Sequence, residues 1–136
     1  LYHYLRIPFP VVLASRVGYT GNFGDYEFFQ AATLGRTNNL RGFRRERFSG
    51  DQAFYHNVEM RLPFARTRNY YLPVEFGLLG FFDYGRVWLE GEDSDRWHQG
   101  YGAGIILAPF SAGIFTLTYE RSDEFDIIGF RLGFLF

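Results

Sequence analysis

The run Ile127-Ile128-Gly129-Phe130-Arg131-Leu132-Gly133-Phe134-Leu135-Phe136 has two unequal parities. Ile128, Phe130, Leu132, Phe134 and Phe136 are all large and apolar. Ile127, Gly129, Arg131, Gly133 and Leu135 are mostly small, with one charge. A strand sends alternate side chains to opposite faces. One face of this strand is therefore greasy throughout, and the other tolerates Arg131. In water a free edge of that kind invites aggregation; against lipid it does not. The pattern predicts the closing strand of a transmembrane β-barrel.

The same alternation recurs upstream. Val11 to Tyr19 sets Val11, Leu13, Val17 and Tyr19 against Ala14, Arg16 and Gly18. Ala53 to Phe64 sets Phe54, His56, Val58, Met60, Leu62 and Phe64 against Tyr55, Asn57, Glu59 and Arg61. Val74 to Trp88 sets Val74, Phe76, Leu78, Phe82 and Tyr84 against Glu75, Leu79, Phe81 and Asp83. Gly100 to Ala108 and Gly113 to Arg121 continue it, and Leu1 to Ile7 is ambiguous. Most of these strands run to about 9–12 residues, roughly the length a tilted membrane-crossing strand needs. Pro8-Phe9-Pro10, 65–73 and 109–112 read as turns, and 20–52, 89–99 and 122–126 as loops. With the chain end in the periplasm, the long connections fall on the outer side, as in outer-membrane barrels. The stretch 20–52 has no sustained period, and a loop of that length in a compact domain is functional or disordered.

Composition supports lipid contact. Aromatic residues make up 21% of the chain, with 17 Phe and 10 Tyr, a content suited to a lipid-facing band with aromatic girdles. A soluble sandwich or lipocalin-like barrel also alternates. Its exterior, however, would carry Lys, Glu, Thr and Gln where this chain places Gly77, Gly85, Gly102, Gly104, Ala108, Gly129 and Gly133. A net charge of −1 gives no electrostatic case for nucleic acid. Cysteine is absent, which removes disulfides and thiolate sites. No run of about 18 apolar residues predicts a transmembrane helix. Five to six strands are too few to close a barrel, whose smallest members have about eight. The expectation is thus one domain, 1–136, forming the carboxyl-terminal part of a larger antiparallel up-and-down β-barrel. A leader and further strands would lie upstream.

Three motifs carry a family resemblance: Leu40-Arg41-Gly42-Phe43 in the long loop, Glu59-Met60-Arg61-Leu62-Pro63, and Phe81-Phe82-Asp83-Tyr84-Gly85. Their order and context, with the terminal aromatic Phe136, resemble the bacterial surface antigen family of BamA/TamA-like outer-membrane assembly and translocation barrels. The resemblance implies a barrel of roughly sixteen strands in the outer membrane of a Gram-negative bacterium. It also implies that Ile128, Phe130, Leu132, Phe134 and Phe136 form a carboxyl-terminal assembly signal.

The residues give this a physical reading. Asp83 shares a parity with Phe81 and Gly85, opposite the greasy face, so it points into the lumen. A carboxylate there wants a cation. Arg41, on a loop long enough to fold inward, can pair with it bidentately. Gly42 allows a tight tip, Phe43 can pack on lumen aromatics such as Phe81, and Glu59 and Arg61 can extend the network. His56 falls on the lipid parity near the outer rim, an interfacial place rather than a metal site. His3 and His98 lack partners at metal-ligand spacing. Glu90, Glu92, Asp93 and Asp95 read as a solvated outer loop. No Ser–His–Asp set or phosphate loop is present, so no enzyme, metal or cofactor is expected.

The expected function is that of a protein insertion or translocation factor. It would act by lateral opening of a seam and β-augmentation, with the Arg41 loop folded into the lumen. Its partners would be outer-membrane lipid and lipopolysaccharide, the missing N-terminal strands, client outer-membrane proteins and accessory lipoproteins. The alternative is a membrane anchor or export pore for an upstream phosphatase- or patatin-like enzyme.

Overall fold

The computed structural model describes residues 2–6, 11–22, 31–35, 39–45, 47–67, 73–89, 96–109 and 113–134. These residues are all-β. The strands are β1 (Tyr2–Arg6), β2 (Val12–Gly21), β3 (Ala32–Leu34), β4 (Phe48–Gly50), β5 (Gln52–Thr67), β6 (Val74–Trp88), β7 (His98–Pro109), β8 (Gly113–Ser122) and β9 (Asp126–Phe134). Seven of them form one antiparallel sheet in the order β1-β2-β5-β6-β7-β8-β9, and β3 and β4 make a separate two-stranded ribbon. Apart from β3 and β4, which lie in the β2–β5 connection, every neighbour in the sheet is a neighbour in sequence, the meander of an up-and-down barrel wall. Among the described residues β1 and β9 are the two edges. The turns at 8–10 and 110–112, the acidic residues 90–95, and Leu135 and Phe136 lie outside the described residues.

Alternation sorts the residues by face. Leu62, Leu78, Ile105, Leu117 and Phe130 are successive cross-strand partners from β5 to β9. They form one apolar row on the outward face, where Leu78, Ile105, Leu117 and Phe130 are exposed. On the assembly-signal parity Ile128 is 72% and Phe130 67% exposed, and Leu132 joins them outward. The inward rows are different in kind. Asn57, Asp83, Gly100 and Ser122 face one another in sequence across the sheet, and so do Glu59, Phe81, Gly102 and Glu120.

Two departures from expectation have physical reasons. The sheet holds seven strands rather than five to six: the alternating segments already number six, and the ambiguous segment 1–7 supplies a seventh, Tyr2–Arg6, which pairs with Val12–Arg16. The segment expected as a turn from Ala65 begins as strand, since β5 runs on to Thr67 through a register shift between Pro63 and Ala65. Proline cannot donate to the ladder, and a bulge accommodates that loss without ending the strand.

The face assignment predicts a contrast between neighbours on β7. Ile105→Arg, on the outward row, should cost ~2–4 kcal/mol in equilibrium unfolding of the full-length protein in lipid vesicles, as for a cation at mid-membrane. Ile106→Arg, facing a cavity that also holds Glu59 and Glu75, should cost clearly less. Equal costs would contradict the face assignment.

Candidate functional site

The inner wall is shaped to receive the loop between β2 and β5. On β7 the inward positions Gly100, Gly102 and Gly104 carry no side chains. A Cβ on Gly100 would sit 1.9 Å from the Arg41 carbonyl oxygen, and one on Gly102 would sit 2.7 Å from the Phe81 ring. Bare Gly100 lets the Arg41 backbone rest directly on the sheet backbone, and bare Gly102 leaves room for the Phe81 ring.

The loop enters through the β3–β4 ribbon. Ala32 and Leu34 are buried with Ala53 of β5, and Phe48, Tyr55 and Val87 pack around them. Phe48 stacks on His98 with ring centroids 3.6 Å apart, and Phe43 meets Phe48 edge-on at 5.3 Å and His98 at 5.9 Å. Asn39 shapes the approach to the tip. Its Oδ1 accepts from the Gly35 amide and its Nδ2 donates to the Thr33 carbonyl, both at 3.0 Å. Its own carbonyl accepts from Asn57 Nδ2 at 2.8 Å, and Asn57 Oδ1 accepts from Arg16 at 2.8 and 3.0 Å.

At the tip, Arg41 grips Asp83 with a two-pronged fork. Nε donates to Oδ2 at 2.6 Å and Nη2 to Oδ1 at 2.7 Å, and the Arg41 amide adds a bond to Oδ2 at 3.1 Å. Nη1 pairs with Glu59 Oε2, and Arg61 Nε donates to Glu59 Oε1 at 2.6 Å. The Arg41 guanidinium carbon lies 3.7 Å from the Phe81 ring centroid, within cation–π range. Asp83 is fully buried, with 0% exposure. The cluster balances two guanidiniums against two carboxylates. Burial works against the charge on Arg41, but its bonds and attraction to Asp83, then Glu59, outweigh that and raise its pKa above the ordinary arginine value.

A second anchor comes from β8. The Gly42 amide donates to Glu120 Oε2 at 3.2 Å, and Ser122 Oγ donates to the Gly42 carbonyl at 2.6 Å. Gly42 has φ of 85°, and a Cβ there would stand 3.0 Å from the Arg121 carbonyl oxygen, so glycine is required twice over. Further out, Arg47 forks onto Glu124 at 2.9 and 3.1 Å, an exposed pair of small energetic weight.

The structure therefore brings Arg41, Gly42, Glu59, Arg61, Phe81 and Asp83 together. It redirects one expected contact. Phe43 does not pack on Phe81: the Arg41 guanidinium covers that ring, and Phe43 turns to Phe48 and His98. Gly85 keeps the inward parity it shares with Phe81 and Asp83 and lies against the ribbon, where a Cβ on it would meet Leu34 Cδ1 at 3.0 Å and the Phe54 carbonyl oxygen at 2.9 Å. Glu120, Ser122, Asn57 and Asn39 are site residues that sequence reasoning missed. For Asn57 and Glu120 the available signal was a polar side chain on the inward parity of a strand whose other parity is greasy; Asn39 and Ser122 fall in segments read as loops, where no period marks a face. On the outward face His56 bonds to Ser15 Oγ at 2.7 Å and to Tyr84 Oη at 2.9 Å. Among the described residues no group of three His, Asp or Glu is placed to hold a metal ion.

Removing Arg41 leaves Asp83 buried without its fork. Arg41→Ala should cost ~3–5 kcal/mol, the scale for breaking a buried pair, in equilibrium unfolding of the full-length protein in vesicles. The swap Arg41→Asp with Asp83→Arg should recover little of this, because Glu59 then faces a second carboxylate. Full recovery would mean a simple two-residue pair.

The model of the family described as haemolysin secretion/activation protein ShlB/FhaC/HecB matches residues 29–115. That span holds the loop from residue 29 onward, both ends of its main tether and strands β5 to β7. No curated protein and no solved structure matches the chain. Members of the matched family are outer-membrane proteins of Gram-negative bacteria. The chain belongs to the ShlB/FhaC/HecB family of haemolysin secretion/activation proteins.

Proposed function

We propose that this chain is barrel wall of an outer-membrane polypeptide transporter, with the Arg41 loop seated in the lumen as a plug that yields during transport. The observation that carries this reading is shared use of two residues. Glu59 and Arg61 complete the tether of Arg41. They also line a cavity of about 350 Å³ on the same inner wall, with Glu75, Thr116 and Arg131. Its walls mix both signs of charge with polar and apolar surface, which suits an unfolded chain of varied sequence. A passing chain that bonds to Glu59 or Arg61 competes with the tether. Entry of substrate and release of the plug are then linked by the same side chains. In this reading the chain is not an enzyme and needs no cofactor; lipid and lipopolysaccharide surround it, and the transported partner is a polypeptide.

A second reading, closer to BamA/TamA-like insertion, rests on the edge strand β9. Gly129 and Gly133 lie on its inward parity, and glycine weakens a strand. Such an edge can open and pair with a client strand by β-augmentation. If client barrels insert into liposomes no faster with the full-length protein than without it, this second reading fails.

The transport reading predicts that Arg61→Ala and Glu59→Gln each lower secretion of the cognate partner by about fivefold or more, the low end of typical coupling between sites. The amount of folded barrel in the membrane should stay near the parental level, by heat-modifiable migration on gels. Parental secretion in both variants contradicts the linkage.

A further inference from the structure

We propose that Glu120 and Thr118 are positioning residues that couple the seated loop tip to the edge strand β9, so that release of the loop loosens the pairing of that strand. The inference goes beyond transport itself and holds whatever the barrel carries.

A continuous chain of polar contacts runs from the loop to β9. The Gly42 amide donates to Glu120 Oε2 at 3.2 Å, and Thr118 Oγ1 donates to Glu120 Oε1 at 2.8 Å. The same hydroxyl lies 3.3 Å from the Gly129 carbonyl oxygen of β9. All of it is sealed from water: Glu120 is 2% and Thr118 5% exposed. Gly129 is the cross-strand partner of Thr118. A Cβ on Gly129 would lie 2.2 Å from Glu120 Oε1 and 2.3 Å from Thr118 Oγ1. The bare backbone of β9 is thus what lets the carboxylate lie flat across the β8–β9 boundary.

A buried carboxylate stays in place only while donors hold it. With the loop seated, the Gly42 amide from above and the Thr118 hydroxyl from the side are among the donors that hold it. When the loop leaves, Glu120 loses the Gly42 amide and gains access to lumen water. It then swings toward solvent, and the inner flank of the Thr118–Gly129 pair is opened to water. Among the described residues β9 pairs with β8, so loss of cover at the Thr118–Gly129 pair falls directly on that pairing. Linkage is reciprocal: whatever pulls β9 from β8 must also loosen the loop tip.

Hydrogen–deuterium exchange of the full-length protein in lipid vesicles tests this. Arg41→Ala frees the tip from β6, on the other side of the loop, without touching β8 or β9. Exchange of the 126–134 amides should then rise roughly tenfold, the scale of losing one hydrogen bond to a charged group. In a Thr118→Val background, which keeps shape but cuts the chain, adding Arg41→Ala should raise that exchange less than about twofold. Glu120→Ala should act like Thr118→Val. Glu120→Gln should act like the parent, since its oxygen can accept from Gly42 and its amide can donate to Thr118. A purely structural role for Glu120 would not make the effect of Arg41→Ala depend on Thr118. If Arg41→Ala does not fold, Arg41→Lys, which keeps the charge but loses the fork, is read against the same outcomes. The proposal is overturned if freeing the loop leaves 126–134 exchange unchanged, or raises it equally with Val at 118.

Discussion

The inner wall depends on one guanidinium taken out of water. Desolvating Arg41 and Asp83 together is costly, and attraction in a low-dielectric site repays this only when geometry is good and remaining donors and acceptors are satisfied. Here the fork is complete, the amide of Arg41 adds a further donor to Asp83, and Glu59 takes the remaining guanidinium nitrogen. Such a pair specifies one seat for the loop more than it adds net stability. A lysine, with a point charge in place of a planar fork, cannot meet two carboxylates and an aromatic face in the same way.

Everything around the pair follows from the need to bring a loop down to a sheet. Bare Gly100 lets the Arg41 backbone meet the β7 backbone, and Gly102 leaves room for the Phe81 ring. The ribbon of β3 and β4 buries Leu34 and Phe48 against β5 and β6 and so fixes where the tip begins. Gly42 turns the tip, and Glu120 and Ser122 receive its amide and carbonyl. The outward face meanwhile needs only to be apolar, and its row from Leu62 to Phe130 is. Alternation along each strand keeps these two demands from interfering.

That same alternation explains what could be read in advance. A period of two assigns faces without any tertiary knowledge, so Leu78 and Phe82 are separated from Leu79, Phe81 and Asp83 by pattern alone. The meeting of Arg41 with Asp83 and Glu59 was legible because a cation on a long loop and carboxylates on lumen parities have few other places to go. The ribbon was not legible, since strands of three residues carry no period and form only on the surface they cover. The role of Glu120 was hidden for another reason. Its inward parity was visible, but its partner Gly42 is 78 residues away and offers a backbone amide, which no residue type announces. Phe43 was misplaced because its neighbours Phe48 and His98 come from the ribbon and a strand end, both unread.

The most direct test of the account is an internuclear measurement in the membrane. Solid-state NMR of the full-length protein in bilayers, with labelled Arg and Asp, reports coupling between guanidinium nitrogen and carboxylate carbon. The account predicts strong coupling from Arg41 to Asp83, as contacts of 2.6 and 2.7 Å require, lost in Asp83→Asn or Arg41→Lys. A resting protein with no Arg41–Asp83 coupling, its loop elsewhere, would contradict it.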